Sequence, residues 1–190
     1  MILPIVTYGD PVLQKRARDI DTDYPQLEQL IADMFETMEN AQGVGLAAPQ
    51  IGKSIRMFVV DGSGMDAEQM ADFRQVFINP EIVEDGEEEV DFEEGCLSIP
   101  GLRGHVDRPV DIRIRYQDAQ FNTHDERYSG VKARIIQHEY DHLEGVLFTD
   151  RLSFLQRNRL QRKLKAMAKG QVSASYPLRP PQPKKARRKV

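Results

Sequence analysis

The stretch QHEYDHLEG, residues 137–145, places two histidines four positions apart, with a glutamate directly after the first. On an α-helix, side chains four positions apart lie on one face, so His138 and His142 can reach a single metal ion. Glu139 is rotated by about 100° from His138 and can reach a water on that ion. This pattern constrains the fold strongly, because a catalytic metal site takes three protein ligands and the third must be brought to this helix. A charged surface helix with two unrelated histidines is the alternative.

The third ligand can be sought by elimination. In the pattern HExxHxxGxxH a third histidine follows, but this chain has Phe148 at that position. Thermolysin-like enzymes use a glutamate from a later helix, and no glutamate follows Glu144. The third ligand is therefore expected upstream, where Cys96, His105, His124 and several acids remain open. Cys96 lies in EEGCLSIPG and would complete a His, His, Cys set as a thiolate, although a lone cysteine is commonly a small buried hydrophobe.

The stretch GVGLAAPQIG, residues 43–52, combines glycines with small alanines. Such residues allow the backbone to approach a ligand or another chain closely. Gln50 supplies an amide that can donate to a developing oxyanion. A glycine-rich helix exit would have much the same sequence, so this stretch alone is a weak signal.

Hydrophobic periodicity predicts three helices. Apolar residues at helical spacing from Leu27 to Met38 predict an amphipathic helix, and a second helix follows Gly130 and ends at Gly145. A third is predicted from Leu152 to about Lys169, with Phe154, Leu155, Leu160, Leu164 and Met167 as its apolar positions.

Residues 55–61, 73–80 and 110–116 have the pattern of strands. The acidic stretch from Glu81 to Glu94 is typical of a solvated hairpin and its flanks. We therefore expect an α+β domain in which antiparallel strands surround the central helix that carries His138 and His142, with further helices at the N-terminal and C-terminal sides.

The chain has 190 residues, and its composition is typical of a soluble protein. No stretch is apolar over the roughly 20 residues of a membrane span, and the single cysteine suits a reducing compartment, so the cytoplasm is expected. The net charge is −4, and residues 171–190 carry six basic and no acidic side chains, so the body carries −10. We expect one domain over residues 1–170 and a flexible, basic, proline-containing tail over residues 171–190.

Together the three motifs resemble those of the peptide deformylase family. They stand as GVGLAAPQ (residues 43–50), EGCLS (94–98) and HEYDH (138–142), in the family's order and complete. The resemblance covers most of the body and not the tail. It implies a hydrolase that removes the N-formyl group from the initiator methionine of nascent polypeptides, through attack by a metal-bound hydroxide.

The resemblance also implies roles for individual residues. Cys96, His138 and His142 would bind the metal, and Glu139 would be the general acid and base. Gln50 and the backbone N–H of Leu97 would form the oxyanion hole. The substrate-binding residues would be Val44, Gly45, Arg134 and Ile135, with the stem of Arg134 lining a methionine pocket while its guanidinium reaches solvent.

The implied cofactor is one divalent ion, with Fe²⁺ as the native metal and Zn²⁺, Ni²⁺ or Co²⁺ as replacements. Nascent formyl-methionyl polypeptides are the expected partners, and the C-terminal helix and basic tail would bind the ribosome. No membrane and no specific DNA binding are expected. Three other functions remain open: a metallopeptidase that cuts internal amide bonds, a structural metal module closed by His105 or His124, and an inactive relative.

Overall fold

The computed structural model describes residues 1–65 and 70–181 of the chain. Short 3-10 helices cover Pro11–Gln14 and Ala48–Ile51. The helices and strands, in chain order, are β1 (Ile5–Val6), α1 (Leu27–Asn40), β2 (Gly45–Ala47), β3 (Met57–Asp61), β4 (Arg74–Asp85), β5 (Glu89–Gly95), β6 (Arg103–Pro109), β7 (Asp111–Gln117), β8 (Thr123–Ser129), α2 (Gly130–Glu144), α3 (Phe148–Arg151), α4 (Phe154–Met167) and β9 (Leu178–Arg179).

Three sheets hold these strands. The largest is antiparallel with the order β2-β3-β4-β7-β8, and β5 pairs with β6 in a separate antiparallel sheet. The third sheet joins β1 to β9 in parallel. In β7 the side chains alternate between the core and the outer face, with Ile112, Ile114 and Tyr116 buried, as the period of a half-buried strand requires.

Helix α2 lies in the middle of the fold and packs against β2, β3, β6, β7 and β8. Its buried positions are not confined to one stripe, because both apolar and polar side chains are enclosed. They are Ala133, Ile135, Ile136, Gln137, Glu139, Asp141, His142 and Leu143. The predicted architecture, with antiparallel strands around the helix that carries the two histidines, is confirmed.

Helix α2 ends where the sequence predicts. Gly145 has a φ of 74°, a left-handed conformation that suits glycine at the end of a helix. A Cβ at this position would lie 2.8 Å from the carbonyl carbon of Gln14, so the close packing against the 3-10 helix also requires glycine.

The acidic stretch from Glu81 to Glu94 differs from the predicted solvated hairpin. Its two halves lie in different sheets, because β4 pairs with β7 while β5 pairs with β6. Glu94 is moreover buried, with 5% of its surface exposed. A run of acidic residues predicts exposed side chains on average, but the last residue of this run, Glu94, is buried in the domain.

The predicted third helix, from Leu152 to about Lys169, is α4 (Phe154–Met167), and a separate short helix, α3, precedes it. Helix α3 ends at Arg151, and α4 begins after Ser153, whose hydroxyl accepts a hydrogen bond from the Gln156 N–H. Phe154 and Leu155 were predicted as apolar positions of the packed face, yet both are exposed. The buried apolar side chains of α4, Leu164 and Met167, lie in its C-terminal half, and Gln156 near its start accepts a hydrogen bond from the N–H of His105 at 2.9 Å.

The tail that was predicted to be flexible from residue 171 is ordered on the body through residue 181. Leu178 and Arg179 form β9, and the N–H of Ile5 donates to the carbonyl of Pro177 at 2.9 Å. The prediction missed this because it weighed prolines and charge, whereas Tyr176 and Leu178 pack against the core. Residues 182–190, which carry five of the six basic side chains, lie outside the described residues. Within residues 1–65 and 70–181, no helix has the length and apolar character to cross a membrane.

Candidate metal centre

The structure brings Cys96, His138 and His142 to one point. One potential ligand atom from each lies within 4.8 Å of the other two, and no other such group of three is found among residues 1–65 and 70–181. The two imidazole rings have centroids 5.2 Å apart and an interplanar angle of 77°. Cys96 Sγ is 3.3 Å from Nε2 of His142. Two nitrogens and one sulfur converging in this way fit a tetrahedral metal site with one open position.

Cys96 reaches the helix from the loop between β5 and β6. The loop turns sharply, since the N–H of Ile99 donates to the carbonyl of Cys96 at 2.9 Å. Ser98 and Ile99 are completely buried and anchor the loop. The N–H of Tyr8 also donates to the carbonyl of Ser98 at 2.9 Å. Backbone hydrogen bonds within the loop and to Tyr8 therefore hold the segment that carries the Cys96 thiol.

Glu94, immediately before this loop, orients His138. The imidazole Nδ1 lies 2.8 Å from Oε2 of Glu94, so Nδ1 carries the proton and donates to the carboxylate. Nε2 is then left with a free lone pair that faces the metal position. A carboxylate that fixes the tautomer of a ligating histidine is a recurrent feature of metal sites.

Glu94 is itself held by a buried network of charges. Arg108, of which 1% is exposed, donates to both carboxylate oxygens of Glu94 at 2.6 and 3.0 Å. Its remaining nitrogen donates to Asp141 at 2.7 Å, and Arg151 donates twice to Asp141 at 2.5 and 2.6 Å. Arg134 donates to Glu94 at 3.1 Å. Charge-assisted and bidentate bonds of this kind are stronger than neutral ones and fix geometry.

This network sets the protonation of the groups around it. Burial alone would raise the pKa of Glu94, but hydrogen bonds from His138 and Arg108 lower that pKa well below its usual range. Burial opposes a charge on His138, yet its contacts with Cys96 and Glu94 raise its pKa well above normal. Burial lowers the pKa of His142, which is therefore neutral.

Glu139 has a very different environment. It is buried, and its Oε2 has no hydrogen-bond partner within the described part of the chain. Burial raises the pKa of this carboxyl to about 7. A Cβ on Gly45 would lie 2.7 Å from Cγ of Glu139, so the absence of a side chain at Gly45 makes room for the carboxylate. A carboxyl with a pKa near neutrality can take up and release a proton during a reaction.

Gln50 and Leu97, predicted from the resemblance as oxyanion-hole donors, lie beside the ligands. The amide nitrogen of Gln50 is 3.5 Å from Cys96 Sγ and 3.2 Å from the hydroxyl oxygen of Ser98. Its amide oxygen accepts from the N–H of Ala47 at 2.8 Å, which fixes the nitrogen toward the site. The N–H of Leu97 donates to no acceptor among residues 1–65 and 70–181. Gln50 and Leu97 line the same cavity as Cys96.

A cavity of about 650 Å³ opens onto these groups. The four predicted substrate-binding residues, Val44, Gly45, Arg134 and Ile135, all line it, together with Gln50, Cys96, Leu97, His138 and Glu139.

The expectation for the guanidinium of Arg134 was wrong. It was expected to reach solvent, but it donates to Glu94, to the carbonyl of Val106 at 2.8 Å and to the carbonyl of Val90. The pairing with buried Glu94 holds the guanidinium inside, while the stem still lines the cavity.

The other histidines do not join the centre. His105 is an exposed partner of Asp91 at 3.0 Å, and His124 contacts Asp118 at 2.9 Å. Neither belongs to the ligand group described above. A structural site closed by His105 or His124 as a fourth ligand therefore has no support among the described residues.

Sequence reasoning missed the residues that hold the ligands in place. Glu94 stood in an acidic run and was interpreted as solvated, and Arg108 and Asp141 were not singled out. One signal was present: Glu94 belongs to the EGCLS motif and lies two positions before Cys96. Arg108 had no comparable signal, because only the pairing of β5 with β6 brings it to Glu94.

Comparison with known proteins agrees with this geometry. The sequence model of the family described as polypeptide deformylase matches residues 2–158. A peptide deformylase of Christiangramia forsetii is 53% identical over 196 residues, which span 98% of this chain and all of that protein. The chain belongs to the polypeptide deformylase family.

Solved structures of polypeptide deformylases have the same fold. A peptide deformylase from Legionella pneumophila is 41% identical, with a TM-score of 0.79 over 90% of this chain and 98% of that one. One from Plasmodium falciparum is 34% identical, with a TM-score of 0.80 over 87% and 95% of the two chains. The resemblance in the three motifs is thus confirmed. Polypeptide deformylases are metal-dependent hydrolases that remove the N-formyl group from nascent peptides, and this chain has a Cys, His, His site that fits a metal.

Proposed function

We propose that Cys96, His138 and His142 bind one divalent metal ion and that the chain uses it to hydrolyse the formamide of N-formyl-methionyl polypeptides. The observation that supports this most directly is the convergence of the three ligand atoms within 4.8 Å, with the partnerless carboxylate of Glu139 in the same cavity. A bound divalent ion acts as a Lewis acid and lowers the pKa of coordinated water from 15.7 toward about 7.

Glu139 serves as the general base and acid. Its carboxylate takes the proton of the attacking water and delivers it to the departing amine nitrogen, which makes a poor leaving group acceptable. The raised pKa, about 7, suits both steps at neutral pH. Gly45 leaves the space in which the carboxylate lies.

Gln50 and Leu97 stabilise the negative charge that develops on the formyl oxygen. The amide nitrogen of Gln50 donates to the Ser98 hydroxyl and has a second hydrogen for a substrate oxygen. The backbone N–H of Leu97 has no acceptor among the described residues. Removing one such donor typically lowers turnover by about 100-fold to 1,000-fold.

The cavity gives the first residue of the substrate a place to bind. Val44 and Ile135 supply apolar wall, the stem of Arg134 adds to it, and Gly45 allows an extended peptide backbone to approach closely. An unbranched methionine side chain fits such a wall well, because its thioether is apolar and flexible.

The experiment that tests this function measures formate released from a formyl-Met peptide. We expect release from the formylated peptide and no cleavage of the same peptide carrying an acetyl group, because a pocket built for the small formyl group excludes the extra methyl. Cleavage of an internal amide bond instead would favour a metallopeptidase. Absence of both activities in the metal-loaded protein would contradict the proposal.

For the native metal we propose Fe²⁺, with Zn²⁺, Ni²⁺ or Co²⁺ as replacements. The thiolate of Cys96 is a soft ligand that accommodates iron as well as zinc, and the imidazoles suit all four ions. Metal analysis of protein purified without oxygen tests the identity. Cys96→Ser should reduce the metal retained after dialysis, and unchanged retention would remove Cys96 from the ligand set.

We also propose that the chain works in the cytoplasm at the ribosome, where nascent polypeptides emerge. Helix α4 supports this, since its exposed face carries five basic and no acidic side chains: Arg157, Arg159, Arg162, Lys163 and Lys165. Such a surface attracts phosphate groups and does so less at high salt. Replacing Arg159 and Arg162 by Glu should lower co-sedimentation with ribosomes at low salt, whereas Glu28→Gln on α1 should leave it unchanged. Equal co-sedimentation of both variants would contradict the role of α4.

A further inference from the structure

The C-terminal segment, residues 171–181, forms part of the wall of the catalytic cavity. Four of its residues line the cavity beside the three sequence motifs: Ser173, Ala174, Ser175 and Tyr176. The segment is fixed immediately after them, because the N–H of Ile5 donates to the carbonyl of Pro177 and β9 pairs with β1. A segment that follows the last helix therefore contributes to the site.

Tyr176 makes the one specific polar contact between this segment and the loop that carries Cys96, among the residues described. Its hydroxyl donates to the backbone carbonyl of Leu97 at 2.9 Å. The direction of this bond is fixed, because a carbonyl oxygen only accepts. Burial raises the pKa of Tyr176 to about 12, so the hydroxyl keeps its proton at neutral pH.

The contact falls on Leu97, the residue whose N–H is proposed above to stabilise the oxyanion. Leu97 is restrained by its side chain and by two neighbouring carbonyls. The side chain packs directly against Gly43, where an added Cβ would lie 2.7 Å from Leu97 Cδ1. The N–H of Tyr8 holds the next carbonyl, that of Ser98, at 2.9 Å. Tyr176 holds the carbonyl of Leu97 itself. The Leu97 N–H shares its planar peptide unit with the Cys96 carbonyl, which accepts from the N–H of Ile99 at 2.9 Å. Tyr176 fixes the following peptide unit through the Leu97 carbonyl, so the backbone is held on both sides of Leu97.

The segment that carries Tyr176 is held on the body of the protein by several contacts. Arg179 covers Gly52, where an added Cβ would collide with the guanidinium, and the N–H of Thr7 donates to the carbonyl of Arg179 at 3.3 Å. The tyrosine ring packs in the same apolar cluster as Leu97. The C-terminal segment thus contacts both the end of the GVGLAAPQIG stretch and the cysteine loop.

We propose that Tyr176 is a positioning residue for catalysis: its hydroxyl holds the Leu97 backbone so that the Leu97 N–H is aimed at the developing oxyanion. The inference rests on the proposed function, in which that N–H stabilises the transition state. A donor that is placed before the reaction stabilises the transition state more than one that has to be ordered during it.

The test compares Tyr176→Phe with the wild-type chain on a formyl-Met peptide. The ring and its packing remain and only the hydroxyl is lost, so we expect kcat to fall by about 3-fold to 10-fold, the effect of one neutral hydrogen bond, while KM stays within about 2-fold. A merely structural role would change KM or the unfolding temperature without this selective loss of kcat. Tyr24→Phe is the matched control and should retain full kcat.

The outcomes separate this inference from the function it rests on. If the wild-type chain releases formate and Tyr176→Phe has the same kcat, or a raised KM alone, the positioning role is overturned and the function stands. If the wild-type chain releases no formate, the function itself fails. Metal content, measured on the same samples, should be equal in the wild-type chain and in Tyr176→Phe.

Discussion

Two glutamates lie beside the candidate metal position, Glu94 on β5 and Glu139 on α2, and their environments differ in hydrogen bonding and in the direction of the pKa shift. On the side of β5 and β6, Glu94 accepts hydrogen bonds from His138, Arg108 and Arg134, and its pKa lies well below the usual range. On the side of β2, Glu139 lies against Gly45 with one oxygen partnerless, and burial raises its pKa to about 7.

The difference suits the two glutamates to the two proposed roles, orienting a metal ligand and transferring a proton. Glu94 stays ionised because its carboxylate accepts hydrogen bonds from His138, Arg108 and Arg134. It therefore fixes the tautomer of His138 and does not exchange protons near neutrality. Glu139 lacks such partners, and for that reason its proton is lost and gained near pH 7. Two identical side chains therefore have different roles that are set only by their surroundings.

The largest effect is expected from Glu139→Gln, which removes the proton-transferring carboxylate and leaves its shape. We expect turnover of a formyl-Met peptide to fall by about 100-fold to 10,000-fold, the range for a general acid and base, while metal content stays constant. Formate release and metal analysis of the same preparation check this. Wild-type turnover in this variant would show that Glu139 is not the base, and a loss of metal would place it among the ligands.

A second variant tests the role of Glu94. Glu94→Gln removes one of the two buried carboxylates that pair with Arg108, so the free energy of unfolding should fall by about 3 kcal/mol, the low end for breaking a buried ion pair, because Asp141 still pairs with Arg108. Metal affinity should fall by about 10-fold to 100-fold, because His138 loses the carboxylate that orients it. Glu93→Gln is the matched control, since Glu93 is exposed on the same strand and, among the described residues, pairs with Arg103 alone, at 3.0 Å.

Chemical denaturation and a competitive metal titration measure both quantities. If Glu94→Gln and Glu93→Gln behave alike, the buried network has no energetic importance. If stability falls and metal affinity does not, Glu94 supports the fold without orienting the ligand.

A third prediction concerns pH in the metal-free protein. The pKa of Glu139 rises from 4.5 to about 7 on folding, so the folded state keeps a proton that the unfolded state has released between these values. The free energy of unfolding should therefore fall as pH rises from about 4.5 to 7, by about 3 kcal/mol from this group. Glu94 has the opposite sign: its lowered pKa gives stability that is present above pH 4.5 and lost as pH falls further.

The comparison that isolates Glu139 is the stability of metal-free wild type and Glu139→Gln at pH 5 and pH 8. The other ionisable groups are shared by the two proteins, so their contributions largely cancel in the difference. The variant should gain about 3 kcal/mol relative to wild type between the two pH values. A constant difference would show that Glu139 titrates near its ordinary pKa.

Much of the fold follows from local patterns in the sequence. The alternation of Ile112, Ile114 and Tyr116 predicted β7, and Gly145 marked the end of α2, because period and φ are properties of neighbouring residues. The exposed Phe154 and Leu155 were misjudged for the same reason. Apolar spacing predicts a face, but only the neighbours of α4 decide how much of that face is covered.

The tail shows the same limit. Its prolines and charges predicted flexibility, yet Tyr176 and Leu178 find apolar partners contributed by residues more than 70 positions earlier in the chain. The pairing of β9 with β1 likewise joins opposite ends of the described chain. Contacts of such long range leave no periodic signal in the segment itself.

By itself the sequence determined the chemistry of this protein: the two histidines at helical spacing, the glutamate between them, and the cysteine and glutamine motifs that together are typical of polypeptide deformylases. Only the tertiary structure decided how that chemistry is tuned. Arg108 meets Glu94 across a strand pair, Glu139 meets Gly45 without a partner, and Tyr176 meets Leu97 from the far end of the chain. The reason is physical, since residue type supplies a ligand or an acid, whereas its pKa and its orientation come from charges and packing that only folding brings near.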